Sequence, residues 1–333
     1  MTLSSSRRRF LRITAATAAC GLAGGGVREL LAAEPPPATW RGLALGNLAS
    51  IEIRHADPAR AARLLDFAKV EIARLESILS LYRPDSALSR LNRDGILRAP
   101  PLDLVQALAR ARDLGEITGG AFDVTVQPLW QVYAEHFVAG GDPSGPAQSR
   151  VQRALDRVGY RAVEIEPAAI GLARPGMAVT LNGIAQGYIT DRIAELLRDA
   201  GLEHVLVDLG EIRVLGGRDG GRPWRAGIEN PTDRTALLAE VPLTGQALST
   251  SGSYGFRFDT AGRFHHIFDP RSGSCPQLYA SVSVLAPSAT IADALATAAN
   301  LLPPDAIAAA LKAAAAERAL LVMPDGTQRW VFA

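Results

Sequence analysis

Hydrophobic positions along the chain switch between a two-residue and a 3.6-residue period, which predicts strands and helices mixed in one domain. Residues 48–54 alternate as a strand. Residues 58–81 follow with apolar side chains at helical spacing, at Ala62, Leu65, Phe67, Val70, Ile72, Leu75 and Ile78, and Asp57 is placed to cap the first turn. A second helix is predicted over 102–118, ended by Gly119-Gly120, and a third over 149–158, followed by a strand over 162–165. Residues 178–181 read as a short strand and 187–200 as a helix closed by Gly201. The unbroken run Val205-Leu206-Val207-Asp208-Leu209-Gly210 predicts a strand buried on both faces, with 211–215 continuing it. Several strands punctuated by Gly and Pro fall between 224 and 284. A helix over 290–301, an Ala-rich stretch over 307–320 and a hairpin around Asp325-Gly326 complete the chain. No unit of 20 to 50 residues repeats and no second domain boundary stands out, so the expected fold class is α+β, a mixed α/β single catalytic domain.

Composition narrows the function classes. At 333 residues, with 48% hydrophobic and 21% charged content, the chain can bury a large core. A formal net charge of +1, with Arg residues scattered along the chain, supplies no field for nucleic acid, so an anionic ligand needs a local site. The N-terminus reads as a separate object. Ser6-Arg7-Arg8-Arg9-Phe10-Leu11-Arg12 fits the twin-arginine export pattern, and an apolar run over 13–23 is too short for a comfortable membrane span. An N-terminal helix packed on the domain is the competing reading, and the lack of a polar face after Arg12 argues against it. The expected division is a signal peptide over 1–33, a linker over 34–40 containing Pro35-Pro36-Pro37, and one domain over 41–333 exported to the periplasm. Cys20 in Thr17-Ala18-Ala19-Cys20 offers an alternative, a lipid anchor in the inner membrane. With the signal removed up to residue 33, Cys275 is the one cysteine of the mature chain, which excludes an internal disulfide and a multi-cysteine metal site and reads as packing.

Four segments carry residues suited to chemistry. In Thr118-Gly119-Gly120-Ala121-Phe122-Asp123-Val124-Thr125-Val126, glycines allow close backbone approach to a ligand and Asp123 can accept from a hydroxyl or ring edge; a helix C-cap entering a strand gives the same letters. In Thr180-Leu181-Asn182-Gly183-Ile184-Ala185-Gln186-Gly187-Tyr188, a strand end meets a helix start, where backbone amides and the helix dipole suit a phosphate; an ordinary strand-to-helix turn is the alternative. The Ser249-Thr250-Ser251-Gly252-Ser253-Tyr254 stretch and His265-His266-Ile267-Phe268-Asp269-Pro270 pair hydroxyl donors with groups that titrate near neutrality. Adjacent strand residues face opposite ways, so at most one His faces a site. In Thr290-Ile291-Ala292-Asp293-Ala294-Leu295-Ala296-Thr297, Asp293 and Thr297 are four apart on an apolar helix. A buried carboxylate there calls for a partner or a cation, and oxygen ligands favour a hard ion; a Thr bonded back to its own helix is the plainer reading of Thr297.

Taken in order, these segments, with Tyr82-Arg83-Pro84-Asp85-Ser86 to Asn92 and Trp224 to Pro231, resemble the ApbE-like flavin transferases, the FAD:protein FMN transferases, over essentially the whole mature chain. The resemblance implies Mg2+-dependent transfer of FMN from FAD to a Thr or Ser hydroxyl of an acceptor protein, with release of AMP. It puts the metal ligands at Asp293, Thr297 and the Gly183 carbonyl, and the catalytic groups at His266 and Asp293. FAD contacts are implied at Ala121, Phe122, Asp123, Thr180, Gln186, Ser251, His266 and Ile267. The family commonly carries Asp where Thr180 stands and Lys where Gln186 stands, a paired loss that keeps the site's net charge. Its usual Met-Gly-Thr is matched loosely by Leu45-Gly46-Asn47, and its usual double glycine by Leu209-Gly210-Glu211. The partners implied are FAD and an exported or membrane redox protein as acceptor, since this chain has no acceptor-like segment. A Mg2+-dependent FAD pyrophosphatase, or a non-enzymatic exported FAD carrier, would use the same site differently.

Overall fold

Strands that are apolar on both faces organise the molecule. The computed structural model describes residues 36–333 apart from Ala56 and Arg234. The twin-arginine segment, the apolar run and Cys20 lie outside the described residues. The chain begins with strands β1 (Ala38–Ala44) and β2 (Asn47–Ile53), helices α1 (Pro58–Leu79) and α2 (Ala87–Asp94), and strand β3 (Ile96–Arg98). Helices α3 (Leu102–Ile117), α4 (Gln127–Val138) and α5 (Gln148–Leu155) come next, then strands β4 (Val163–Ile165) and β5 (Ala169–Leu172) and helix α6 (Ala185–Asp199). Strands β6 (Val205–Asp208), β7 (Ile212–Leu215), β8 (Trp224–Glu229), β9 (Leu237–Leu243), β10 (Ala247–Ser251) and β11 (Ser281–Ala286) follow. Helices α7 (Ala289–Ala299) and α8 (Pro304–Ala313) and strands β12 (Arg318–Val322) and β13 (Gln328–Phe332) close the chain.

The main sheet has eight strands in the order β1-β2-β6-β7-β10-β11-β12-β13, all pairs antiparallel. In β6, Val205 and Val207 join the core shared with the helices, while Leu206 joins a second core beneath the hairpin β8–β9. In β12, Ala319 and Leu321 face the first core and Leu320 and Val322 the second. Each of the Val and Leu side chains among these contributes roughly 1.5–3 kcal/mol by leaving water, so the central strands are held from both sides. That is why Val205-Leu206-Val207 shows no polar alternation.

Several expectations change in the structure. Residues 211–215 do not prolong β6; the chain turns at Leu209–Gly210, where Gly210 takes φ 102°, and returns as β7 antiparallel to β6. Residues 178–181 form no strand. The side chain of Asn92 imitates a strand partner for this segment, accepting from Val179 N at 2.7 Å and donating to Val179 O at 2.8 Å, and Thr180 N donates to Val124 O at 2.7 Å. The turn at 118–126 leads into helix α4, not a strand, because Pro128 sits in the first helical turn, where its missing N–H costs nothing. Of the expected apolar face of α1, Leu65, Ile72, Leu75 and Ile78 are buried, joined by Ala61 and Ala68, while Ala62, Phe67 and Val70 fall on the outer face. The Ala-rich stretch 307–320 splits into the end of α8 and the start of β12, and β1 begins at Ala38, inside the expected linker.

Candidate active site

Two helices cross at one glycine and bring the second and fourth segments together. A Cβ on Gly187 of α6 would lie 2.3 Å from the Ala289 carbonyl oxygen at the start of α7, so this crossing requires glycine. The Gly187 N–H, which the α-helical ladder would direct to the Gly183 carbonyl, donates instead to Asp293 Oδ2 at 3.1 Å. The Gly183 carbonyl thereby stays outside the helix's ladder, and one Asp293 oxygen is fixed by a backbone amide. Asp293 is only 3% exposed. One turn along, Thr297 Oγ1 lies 3.2 Å from Ser251 Oγ at the end of β10. Thr297 also sits against Gly183, where an added Cβ would come within 3.0 Å of Thr297 Oγ1. The plainer reading of Thr297, a bond back into its own helix, is not the contact made.

One cavity collects the residues singled out in the sequence. Ala121, Phe122, Asp123, Thr180, Gly183, Gln186, Ser251, His266, Ile267, Asp293 and Thr297 all line it. The start of α6 borders this space with no side chain capping it, an arrangement suited to a phosphate. Gln186 Nε2 donates to Leu209 O at 3.2 Å, tying the first turn of α6 to the β6–β7 turn. A second cleft continues from the cavity past Asn182, Gln186 and His266, and is bordered by Leu45, Asn47, Tyr82 and Tyr254. Leu45-Gly46 is the two-residue turn of the β1–β2 hairpin, with positive φ at both residues, 49° and 77°. The loosely matching Leu45-Gly46-Asn47 thus belongs to the mouth of the site.

Asp123 has a second employment that its sequence context hid. Its Oδ1 accepts from Thr125 N at 2.7 Å and Thr125 Oγ1 at 2.5 Å, and its Oδ2 from Tyr160 N at 2.9 Å. Burial raises its carboxyl above the ordinary range, and the Thr125 and Tyr160 donors oppose that rise. These bonds hold the 118–126 turn closed and present Ala121 and Phe122 to the cavity.

The two histidines separate as their adjacency predicts. His265 is 1% exposed, with Nε2 against Pro276 O at 3.2 Å and Nδ1 accepting from Ile267 N at 3.3 Å, which fixes the neutral Nε2–H tautomer. Burial lowers its pKa. His266 faces the cavity and the adjoining cleft, with its Nδ1 3.2 Å from Phe256 O. Cys275 is spent on packing: its Sγ donates to His265 O at 3.2 Å, and burial pushes the thiol up to about 12.

Trp130 and Gln127, unremarked in the sequence, also line the cavity, as does Glu211, which stood out there as the departure from a double glycine. The first two lie on α4, whose helical character was masked by the β-branched Val124-Thr125-Val126; Pro128 was the available signal. Glu211 was visible as an acidic residue between two apolar strand runs. Among the described residues no group of three or more His, Cys, Asp and Glu gathers around a metal-sized space. The Asp293, Thr297 and Gly183 set holds a single carboxylate and is oxygen-only, a donor chemistry that fits a hard divalent ion keeping several other oxygen ligands.

A sequence model of the ApbE family matches residues 45–321. A curated relative from Salmonella typhimurium named FAD:protein FMN transferase is 31% identical over 276 residues, covering 80% of this chain and 78% of the relative. Another of the same name, from Treponema pallidum, is 32% identical over 306 residues, covering 85% and 83%. Among solved structures, the apo form of the Pseudomonas stutzeri flavinyl transferase ApbE superposes with a TM-score of 0.73 at 26% identity, over 90% of this chain and 96% of that one. The flavin transferase ApbE from Vibrio cholerae gives a TM-score of 0.75 at 26% identity, over 90% and 98%.

Proposed function

The chain belongs to the ApbE family, and we propose that it transfers FMN from FAD to a Thr or Ser hydroxyl of an acceptor protein in a Mg2+-dependent reaction. The observation that carries this reading is the Gly187 N–H bond to Asp293, which frees the Gly183 carbonyl and fixes the carboxylate beside Thr297 in one cavity. Gly183, Asp293 and Thr297 would hold Mg2+, which when bound neutralises charge on the bridging phosphates of the dinucleotide.

The acceptor oxygen attacks the phosphorus on the FMN side, a new P–O bond forms, and the bond from that phosphorus to the bridging oxygen breaks, so AMP leaves with that oxygen. The uncapped start of α6 faces the anionic groups during this exchange. His266 stands where it can take the hydroxyl proton or orient a phosphate, and the pH profile of a His266→Gln variant separates the two roles. Ala121, Phe122 and Ile267 offer an apolar wall for a ring system, and Thr180, Gln186 and Ser251 neutral polar groups around the phosphates. The Thr180 and Gln186 side chains are neutral, so they add no charge to this part of the wall.

The twin-arginine segment supports export to the periplasm, where an exported or membrane redox protein would be the acceptor, and Cys20 offers a lipid anchor. The test mixes the protein with FAD, Mg2+ and candidate periplasmic redox proteins and looks for covalent flavin fluorescence on a denaturing gel. We expect a fluorescent acceptor with the wild type and none with Asp293→Ala, whose circular dichroism stays native. Equal labelling by Asp293→Ala would remove the metal assignment. AMP release without an acceptor would identify hydrolysis instead.

A further inference from the structure

Helix α7 owes its position to a side chain on another helix. Asp191 lies four residues after Gly187, on the same face of α6. Its two carboxylate oxygens accept from the Ala289 and Thr290 amides at 2.9 Å each and from the Ser288 and Thr290 hydroxyls at 2.6 Å each. A fifth donor, Arg213 Nη1 on β7, approaches at 2.6 Å. Asp191 is 6% exposed, and it reinforces the local cap at the positive end of the α7 dipole, where Ser288 Oγ accepts from Ile291 N at 3.4 Å. The α6–α7 pair is therefore fixed at two points one turn apart: the Asp191 carboxylate on the start of α7, and the Gly187 amide on Asp293 inside it.

We propose that Asp191 is a positioning residue for the cation site, setting the axial position and rotation of α7 so that Asp293 and Thr297 meet the Gly183 carbonyl. This rests on the reading of Asp293 and Thr297 as cation ligands. Asp191 touches neither cation nor substrate; it acts through α7. Replacing the carboxylate by an amide leaves one oxygen where two served two amides, two hydroxyls and the half-buried Arg213 guanidinium, and α7 can then slide or rotate against α6.

The experiment titrates Mn2+ alone into the full-length protein, reading free Mn2+ by electron paramagnetic resonance, for wild type, Asp191→Asn, a Ser288→Ala/Thr290→Val double variant and Asp293→Ala. We expect Asp191→Asn to weaken Mn2+ binding by about 10- to 100-fold, the range for losing a residue that orients metal ligands. The double variant, which keeps the carboxylate and both amides, should weaken it by a smaller factor while remaining folded by circular dichroism. The loss of flavin transfer by Asp191→Asn should lie in the Mg2+ concentration for half-maximal rate, with kcat at saturating Mg2+ near wild type, when both are measured well below the variant's melting temperature. If Asp293→Ala abolishes Mn2+ binding while both Asp191→Asn and the double variant bind like wild type, the positioning role is overturned and the cation site stands. If Asp293→Ala binds like wild type, the cation site itself falls. Should Asp191→Asn fail to fold, wild-type Mn2+ affinity in the double variant overturns the proposal.

Discussion

The two walls of the cavity are built by opposite means. On one side, α6 and α7 meet backbone to backbone at Gly187, and buried carboxylates accept hydrogen bonds across the contact. On the other, the chain from Gly252 to Ala280 forms no strand of the main sheet and leans on a cluster of rings. Phe268 sits 5.1 Å from Tyr133 and 6.0 Å from Phe258, and Trp130 lies 6.1 Å from Phe256 and 5.9 Å from Phe258, measured between ring centroids. The first wall fixes oxygens to the tolerance a cation demands. The second offers surfaces that can shift by fractions of an ångström without losing their contacts. Hard-ion binding and ring binding ask for these two kinds of construction, and the chain supplies one of each.

Truncating the ring cluster should have the largest effect on stability. Phe268 is 3% exposed, so Phe268→Ala is expected to cost about 3–5 kcal/mol in urea unfolding. Because the ring wall is separate from the helix crossing, Mn2+ affinity measured under folding conditions should stay at the wild-type value. Coupled loss of both would break the distinction between the walls.

Gly187→Ala comes next. Its Cβ must displace the Ala289 backbone, an overpacking that costs about 1–3 kcal/mol. The shift it forces on Asp293 should lower flavin transfer by about 100-fold, the scale reported for ångström-level misplacement of reacting groups. Steady-state transfer assays beside a melting curve measure both, and normal transfer would show that the crossing is packing alone.

The smallest effect is a pH dependence confined to the ring wall. Burial depresses the pKa of His265 below its ordinary 6.5, so the unfolded chain binds a proton that the folded chain refuses. The stability tied to His265 is therefore present above pH 6.5 and is lost as pH falls below it. Protonation of Nδ1 also removes the acceptor for Ile267 N. Amide exchange around 265–268 should accelerate between pH 6.5 and 5 while exchange in α7 does not, and His265→Gln should abolish the difference.

What could be read from the sequence follows the same division. Helices α6 and α7 were legible within a few residues, and Asp293 and Thr297 on one face, because both facts follow from helical periodicity and a carboxylate among alanines. The two histidines separate as alternation suggests, although the expected strand is absent and residue 265 makes only an isolated bridge to Arg257. Asn92 standing in for a strand, Asp191 capping a helix 98 residues away and Asp123 occupied by Thr125 and Tyr160 were not legible. Asn92, Asp191 and, through Tyr160 N, Asp123 satisfy backbone groups distant in sequence, and local pattern carries no trace of that; the Thr125 bonds of Asp123 are a local turn. Trp130 was missed because three β-branched letters outweighed one proline.

The central claim is that Gly183, Asp293 and Thr297 hold a hard divalent ion against the bridging phosphates of a flavin dinucleotide. A crystal soaked with FAD and Mg2+ tests it directly. The account predicts an ion contacted by the Asp293 carboxylate, the Thr297 hydroxyl and the Gly183 carbonyl, with the pyrophosphate on its open side. An ion elsewhere, with those two side chains turned away and the flavin outside this cavity, would contradict it.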